Sequence, residues 1–251
     1  MAELKMKKQY EAVIEVMREN GGYSTLGYLY QKVPKIPGVE WKTKTPFASI
    51  RRIVQDRRFF FKIRPGLWAL KEFRQKLPAE ILSQKKTSTP SDDNFDHSYY
   101  QGLLLEIGNL KRLKTFVPAQ DKNRKFLNKT LGEIASLCVI PPFTYPNLIK
   151  KAETIDVIWF NVREMPDSLF EVEHSTNIQN SLLKFVELQD FHSNFFIAAH
   201  KLRQAEFHTK ISMAAFKPIC PRTKFIDYEK VSLWHSKLSE LHAIETIMTQ
   251  Q

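Results

Sequence analysis

Before residue 55, apolar positions fall into helical spacing in three separate stretches. Tyr10, Val13, Ile14 and Met17 recur three to four residues apart between Leu4 and Met17, and Gly21-Gly22 ends the pattern. Ser24 is placed to cap a second, short helix reaching about Val33, which Pro34, Pro37 and Gly38 break. Thr45-Pro46 has the form of a third helix start, Thr as N-cap and Pro at the first helical position. In that helix Phe47, Ile50, Ile53 and Val54 make the buried stripe, while Ser49, Arg51, Arg52 and Gln55 take the open face. Phe59 to Ile63 and Leu67 to Leu70 flank Arg64-Pro65-Gly66, which predicts a β-hairpin.

Ser83 to Asn94 contains no apolar residue to bury, so 79–95 is expected to link a module at 1–78 to a second at 96–251. The second module opens with a helix from His97 to Leu113, apolar at Tyr100, Leu103, Leu104, Ile107 and Leu110 but carrying Glu106 in its middle. Thr115 to Ala119 is expected as a strand, Leu127 to Leu137 as a helix, and Pro141 to Pro146 as extended chain. Ile155 to Phe160 and Leu169 to His174 predict paired strands about a turn at Pro166-Asp167-Ser168. A helix to Asp190, a strand at Asn194 to Ala199, a helix at Phe207 to Phe216, a strand at Lys224 to Tyr228 and a helix from Val231 onward complete the reading.

Charge divides along the same line. Residues 1–78 hold 17 lysines and arginines against 7 acidic residues, whereas 79–251 hold 21 against 20. A basic module joined to a near-neutral one suggests a polyanion binder attached to something that acts on the polyanion. No stretch approaches the ~18 consecutive apolar residues of a membrane span, and the charged start at Met1 to Lys8 lacks a signal-peptide core. Two cysteines are too few for a disulfide scaffold. The expectation is an intracellular, cytoplasmic protein with no membrane partner. Walker A, paired-glycine dinucleotide and H-E-x-x-H motifs are absent.

The chemistry concentrates in the paired strands. Asp156 interrupts the first, and Glu171 and Glu173, two apart in the second, must share a face. Acids set side by side among buried apolar residues are costly unless a cation sits between them. Pairing about the turn brings Asp156 alongside, giving a hard-oxygen site suited to Mg²⁺, with Mn²⁺ as a substitute. The seven histidines read as scattered, with none arrayed at this site. Lys184 and Gln179 on the following helix are further candidates for positioning a water, and His174 is expected to face away.

Two resemblances follow from these residues. Thr45-Pro46 leading into Ser49-Ile50-Arg51-Arg52-Ile53, then Phe59 through Leu70, resembles the HARE-type winged helix-turn-helix over about residues 5–77. That resemblance implies a third helix in the DNA major groove and a hairpin along the backbone, with Lys42, Lys44, Thr45, Ser49, Arg51, Arg52 and Arg64 as DNA-binding residues. It also implies a module that senses modified bases.

Over about residues 95–200, a helix with Glu106, a strand with Asp156, a strand with Glu171-Val172-Glu173, a helix and a strand resemble the PD-(D/E)XK nuclease fold. The implied fold class is a two-domain α+β or α/β protein, the second domain a mixed central sheet flanked by helices. The resemblance implies Asp156, Glu171 and the Val172 carbonyl as metal ligands, Glu106 as the assisting helix carboxylate and Glu173 as a catalytic group. Glu173 stands where the family carries lysine, so the motif is E-x-E; a minority of restriction endonucleases share it. Together the two modules resemble a type II restriction endonuclease, a Mg²⁺-dependent enzyme hydrolysing phosphodiesters of double-stranded DNA. The alternatives are a DNA-binding regulator with an inactive nuclease-like domain and a structure-selective repair nuclease. A palindromic target suits a homodimer, and equally one active site acting twice.

Overall fold

The computed structural model describes residues 6–82, 90–174 and 176–249. The chain forms two compact units, Met1–Lys86 with Ser232–Gln251 and Thr87–Val231.

In the first unit, α1 (Gln9–Glu19), β1 (Tyr23–Thr25), α2 (Leu26–Lys32) and α3 (Phe47–Ile53) precede a hairpin of β2 (Phe60–Arg64) and β3 (Leu67–Leu70), followed by α4 (Ala79–Leu82). The sheet runs β1-β3-β2, antiparallel throughout, so the return strand of the hairpin is central. Gly66 turns the hairpin at φ 76°, a region that glycine alone enters without steric cost. Val13, Val16 and Met17 of α1, Leu29 and Tyr30 of α2 and Phe47 and Ile50 of α3 meet Phe60 and Leu70 in one buried cluster.

Two local expectations shift. The cap of α2 is Thr25, whose hydroxyl accepts from Tyr28 N at 3.3 Å, because Ser24 is already paired in β1 opposite Trp68. The N-cap position of α3 falls on Pro46, with no side-chain cap, so Thr45 lies one residue before the cap.

The second unit opens on α5 (Pro90–Leu110), followed by β4 (Lys114–Phe116), β5 (Lys125–Phe126), β6 (Lys129–Thr130), α6 (Leu131–Ile134) and α7 (Pro146–Ala152). Then come β7 (Val157–Phe160), β8 (Pro166–Glu173), α8 (Ile178–Val186), β9 (Asn194–Ala199), α9 (Gln204–Ile211) and β10 (Thr223–Asp227), and the last helix α10 (Tyr228–Thr249). Where a helix from Leu127 was expected, β5 and β6 form a small hairpin. Leu127 takes φ 53°, and the Thr130–Glu133 capping box starts α6 only at Leu131.

The five-stranded sheet has the order β10-β9-β8-β7-β4. β4, β7 and β8 pair antiparallel, while β8, β9 and β10 run parallel. On one side Ile158, Phe160, Leu169, Phe195 and Ile197 pack on Ile178, Leu182 and Phe185 of α8. Fully burying such side chains contributes about 1.5–3 kcal/mol each. Trp159, the largest fully buried side chain, donates its indole N–H to the Leu104 carbonyl of α5 at 3.0 Å. Gly108 of α5 lets the helix come this close: a Cβ there would stand 2.6 Å from Trp159 Nε1.

The domain division at the C-terminus differs from the sequence expectation. Residues from Ser232 group with the first unit, because Ala243, Ile244 and Ile247 of α10 join its apolar cluster. Of the expected linker, 83–89 lies outside the described residues; Ala79–Leu82 is helical, and α5 begins at Pro90.

Candidate active site

β8 is flanked by β7 on one side and β9 on the other, and its last residues, Glu171 to Glu173, run past the first residue of β7 while still paired with Ile197 to Ala199 of β9. Asp156 immediately precedes β7, in register to reach them: its Oδ2 accepts from Val172 N at 2.7 Å, and its own N–H faces Glu171 Oε1 at 3.3 Å. Asp156, Glu171 and Val172 are therefore neighbours. Glu171 is 2% exposed. Lys184, in the last turn of α8, brings its ammonium 3.0 Å from Oε1 and 2.8 Å from Oε2 of Glu171, and 2.9 Å from the Thr154 carbonyl. Burial, and then the charge of Asp156, push the Glu171 carboxyl well above the usual carboxylate range, with Lys184 and Ser181 pulling the other way.

Glu171 and Glu173 share a face, as the strand period requires, and the hydroxyl of Ser181 on α8 contacts both, 3.0 Å from Glu171 Oε2 and also bonded to Glu173 Oε1. One hydroxyl carries one proton, so it serves one carboxylate at a time. Glu173 also accepts from Thr176, and Arg203 stands 3.7 Å from its Oε2. The same guanidinium donates to the His174 and Thr176 carbonyls at 3.3 and 2.5 Å and pairs with Glu206 at 2.9 Å. Glu173 is thus tied into the turn between β8 and α8. Gln179 accepts from Lys210 at 3.0 Å, and His174 stacks on Tyr228, with 6.4 Å between centroids.

Glu106 is half-buried on α5. A helix turns by about 100° per residue, so nine positions separate Glu106 from His97 by roughly half a turn. From α5, His97 and Gln101 meet Asp156: His97 Nε2 lies 3.4 Å from Asp156 Oδ1, and the Gln101 amide donates to the Asp156 carbonyl at 3.3 Å. Gln101 also donates to Asp121 at 2.9 Å. Ligand atoms of His97, Asp121 and Asp156 all lie within 4.8 Å of one another. The expectation that no histidine stands at the carboxylates is therefore corrected. The spacing His97-x₃-Gln101 sets both on one helical face, but nothing in the sequence says which face of α5 meets the sheet.

In the first unit, Lys42, Lys44, Thr45 and Arg52 are exposed and Ser49 is half-buried. Arg51 pairs with Glu240 at 2.8 Å and donates to the Tyr30 hydroxyl at 3.2 Å. Arg64 does not offer an exposed cation: it is 4% exposed and donates to the Ile81 carbonyl at 2.9 Å. It lies at the strand end where the chain of α4 closes over it.

Residues 76–250 match the family model of the type II restriction enzyme NmeDI C-terminal domain. That is more than half of the chain, which therefore belongs to this family of restriction enzymes, nucleases whose substrate is DNA. No curated protein and no solved structure matches it. Among the described residues no helix is long and apolar enough to cross a membrane.

Proposed function

We propose that the chain is a type II restriction endonuclease of the PD-(D/E)XK kind, cutting double-stranded DNA at a specific sequence with Mg²⁺ or Mn²⁺. The observation that carries this reading is the meeting of Asp156, just before β7, with Glu171 of the neighbouring β8, with Lys184 2.8 Å from Glu171, inside the segment matched to a restriction-enzyme family. The donor set fits a hard dication: carboxylate oxygens and a backbone carbonyl, one carboxylate so buried that a cation relieves its charge. Asp156, Glu171 and the Val172 carbonyl would hold it. When bound, the ion supplies Lewis-acid polarisation of the phosphate and lowers the pKa of the attacking water.

The protein's own groups divide the remaining work. Lys184 takes the place of the lysine missing from the E-x-E motif, orienting a water and meeting negative charge as it builds on the phosphate. Glu173 fastens the turn after β8 through Ser181, Thr176 and Arg203 and so holds Glu171 in position. Three helices followed by a wing-like hairpin support the reading of the first unit as a winged helix holding duplex DNA. Exposed Lys42, Lys44 and Arg52 supply salt-sensitive phosphate contacts, with Thr45 and Ser49 beside them.

The test is digestion of phage and plasmid DNA, unmodified and methylated, in Mg²⁺ and then Mn²⁺ beside Asp156→Ala. Discrete fragments from the native chain alone are expected, and their sequenced ends give the site. Binding without cleavage under every condition overturns the reading in favour of a DNA-binding regulator.

A further inference from the structure

We propose that His97, Asp121 and Asp156 form a binding site for a divalent transition-metal ion, with the side-chain carbonyl of Gln101 as an additional oxygen. Three elements converge there: α5 supplies His97 and Gln101, the segment after β4 supplies Asp121, and the residue before β7 is Asp156. Their ligand atoms already stand within 4.8 Å of one another, so small side-chain rotations bring them to a common ion. Asp156 directs its two oxygens differently. Oδ2 accepts from Val172 N, and Oδ1 faces His97 Nε2 at 3.4 Å.

Gln101 is the independent sign of a ligand. Its side chain is fully buried. Its Nε2 donates to Asp121 Oδ2 at 2.9 Å and to the Asp156 carbonyl at 3.3 Å. Both partners are acceptors, which fixes the amide orientation, since the oxygen in that place would face two oxygens. Oε1, on the same amide, is then buried with no hydrogen-bond partner among the described residues. A buried acceptor left so costs about 1–3 kcal/mol. A cation, or a water held by one, satisfies it. Arg124 Nε lies 2.9 Å from Asp121 Oδ1, yet each carboxylate oxygen keeps a second lone pair. With His97 neutral, two carboxylates against one guanidinium leave the cluster net negative.

One imidazole nitrogen among carboxylate and amide oxygens suits Mn²⁺, Fe²⁺ or Zn²⁺ better than Mg²⁺. His97 and Asp156 side chains keep 21% and 14% exposure, which leaves a way in. The site shares Asp156 with the proposed catalytic ion but uses neither Glu171 nor the Val172 carbonyl, and it needs no cleavage activity to exist.

The experiment is a Zn²⁺ titration of the full, chelator-treated chain labelled with ¹⁵N at the histidine rings, with ion stoichiometry from calorimetry. One ring among the seven histidines, assigned as His97 by its loss in His97→Gln, is expected to shift on binding. His97→Gln and Asp121→Asn should weaken that site at least tenfold, while Glu171→Gln retains it. A His97 ring unmoved by saturating Zn²⁺ in the native chain overturns the proposal and leaves a plain His97–Asp156 ion pair. Equal stoichiometry and affinity in native chain and both variants overturns it as well. Failure of the endonuclease reading would show separately, as absence of DNA cleavage with the His97 shift intact.

Discussion

Lys184 of α8 places its ammonium 2.8 Å from a carboxylate oxygen of Glu171, a side chain only 2% exposed. Desolvation works against the buried charge, and the ammonium is the full positive charge in contact with it. Lys184→Met should therefore lower DNA cleavage by on the order of 10²-fold. It should also cost stability, by about 1–3 kcal/mol, as Glu171 takes up a proton or stays unpaired. Urea denaturation measures the second effect. The double variant Glu171→Gln, Lys184→Met should recover most of the lost stability and none of the activity. A single Lys184 variant with native cleavage would remove Lys184 from the mechanism.

Glu173 gives a prediction of the opposite kind. Its oxygens are engaged by Ser181 and Thr176, with Arg203 beside it, and the role proposed for its charge is in the turn rather than at a water. Glu173→Gln keeps an acceptor for those hydroxyls and should leave the acid limb of the pH–rate profile in place, with cleavage reduced less than tenfold. Arg203→Ala strips the cation from a carboxylate that is 4% exposed and should cost about 2–4 kcal/mol. Loss of the acid limb in Glu173→Gln would instead make Glu173 the general base.

The His97–Asp156 pair carries a pH signature in the presence of a chelator. Burial opposes the imidazolium, but Asp156, with Asp121 behind it, outweighs burial and raises the His97 pKa above its ordinary 6.5. A raised folded-state pKa means the folded protein holds the proton more tightly than the unfolded chain. That contribution is complete below pH 6.5 and is lost as pH rises through the folded value. Unfolding midpoints in EDTA should accordingly fall with pH above 6.5, and His97→Gln should flatten that slope. Ring-proton titration by NMR reads the pKa directly, and a value at or below 6.5 would contradict it.

Much of this was legible in the residues, for particular reasons. Asp156 stands at the head of one apolar strand, Glu171 and Glu173 interrupt the next, and a period of two places the glutamates on one face whatever the tertiary fold. The strand at Asn194 to Ala199 and the hairpin about Gly66 likewise declare themselves locally. What local pattern could not supply was the rotation of α5 about its axis. Glu106 stood out as the lone acid in an apolar helix, yet the face meeting Asp156 is set by Gly108 packing on Trp159 and brings His97 and Gln101 forward. Arg64 was deceptive for the same reason. A cation at a hairpin tip reads as exposed until α4, distant in sequence, covers it. The grouping of Ala243 and Ile247 with the first unit depends on packing across most of the chain, which no spacing rule contains.

That burial of Arg64 separates two kinds of arginine variant in the basic unit. Arg52 and Lys42 are exposed, so Arg52→Ala and Lys42→Ala should change stability by no more than about 0.5 kcal/mol. Each should weaken DNA binding across all sequences and reduce the slope of log affinity against log salt by about 0.9 for every phosphate no longer neutralised. Arg64→Ala leaves the Ile81 carbonyl without its guanidinium donor and opens a void at the strand end. It should cost about 1–3 kcal/mol in chemical denaturation while leaving the salt slope unchanged. Fluorescence anisotropy on a labelled duplex at four salt concentrations distinguishes them. A reduced slope for Arg64→Ala would mean that its side chain leaves the buried position to reach a phosphate.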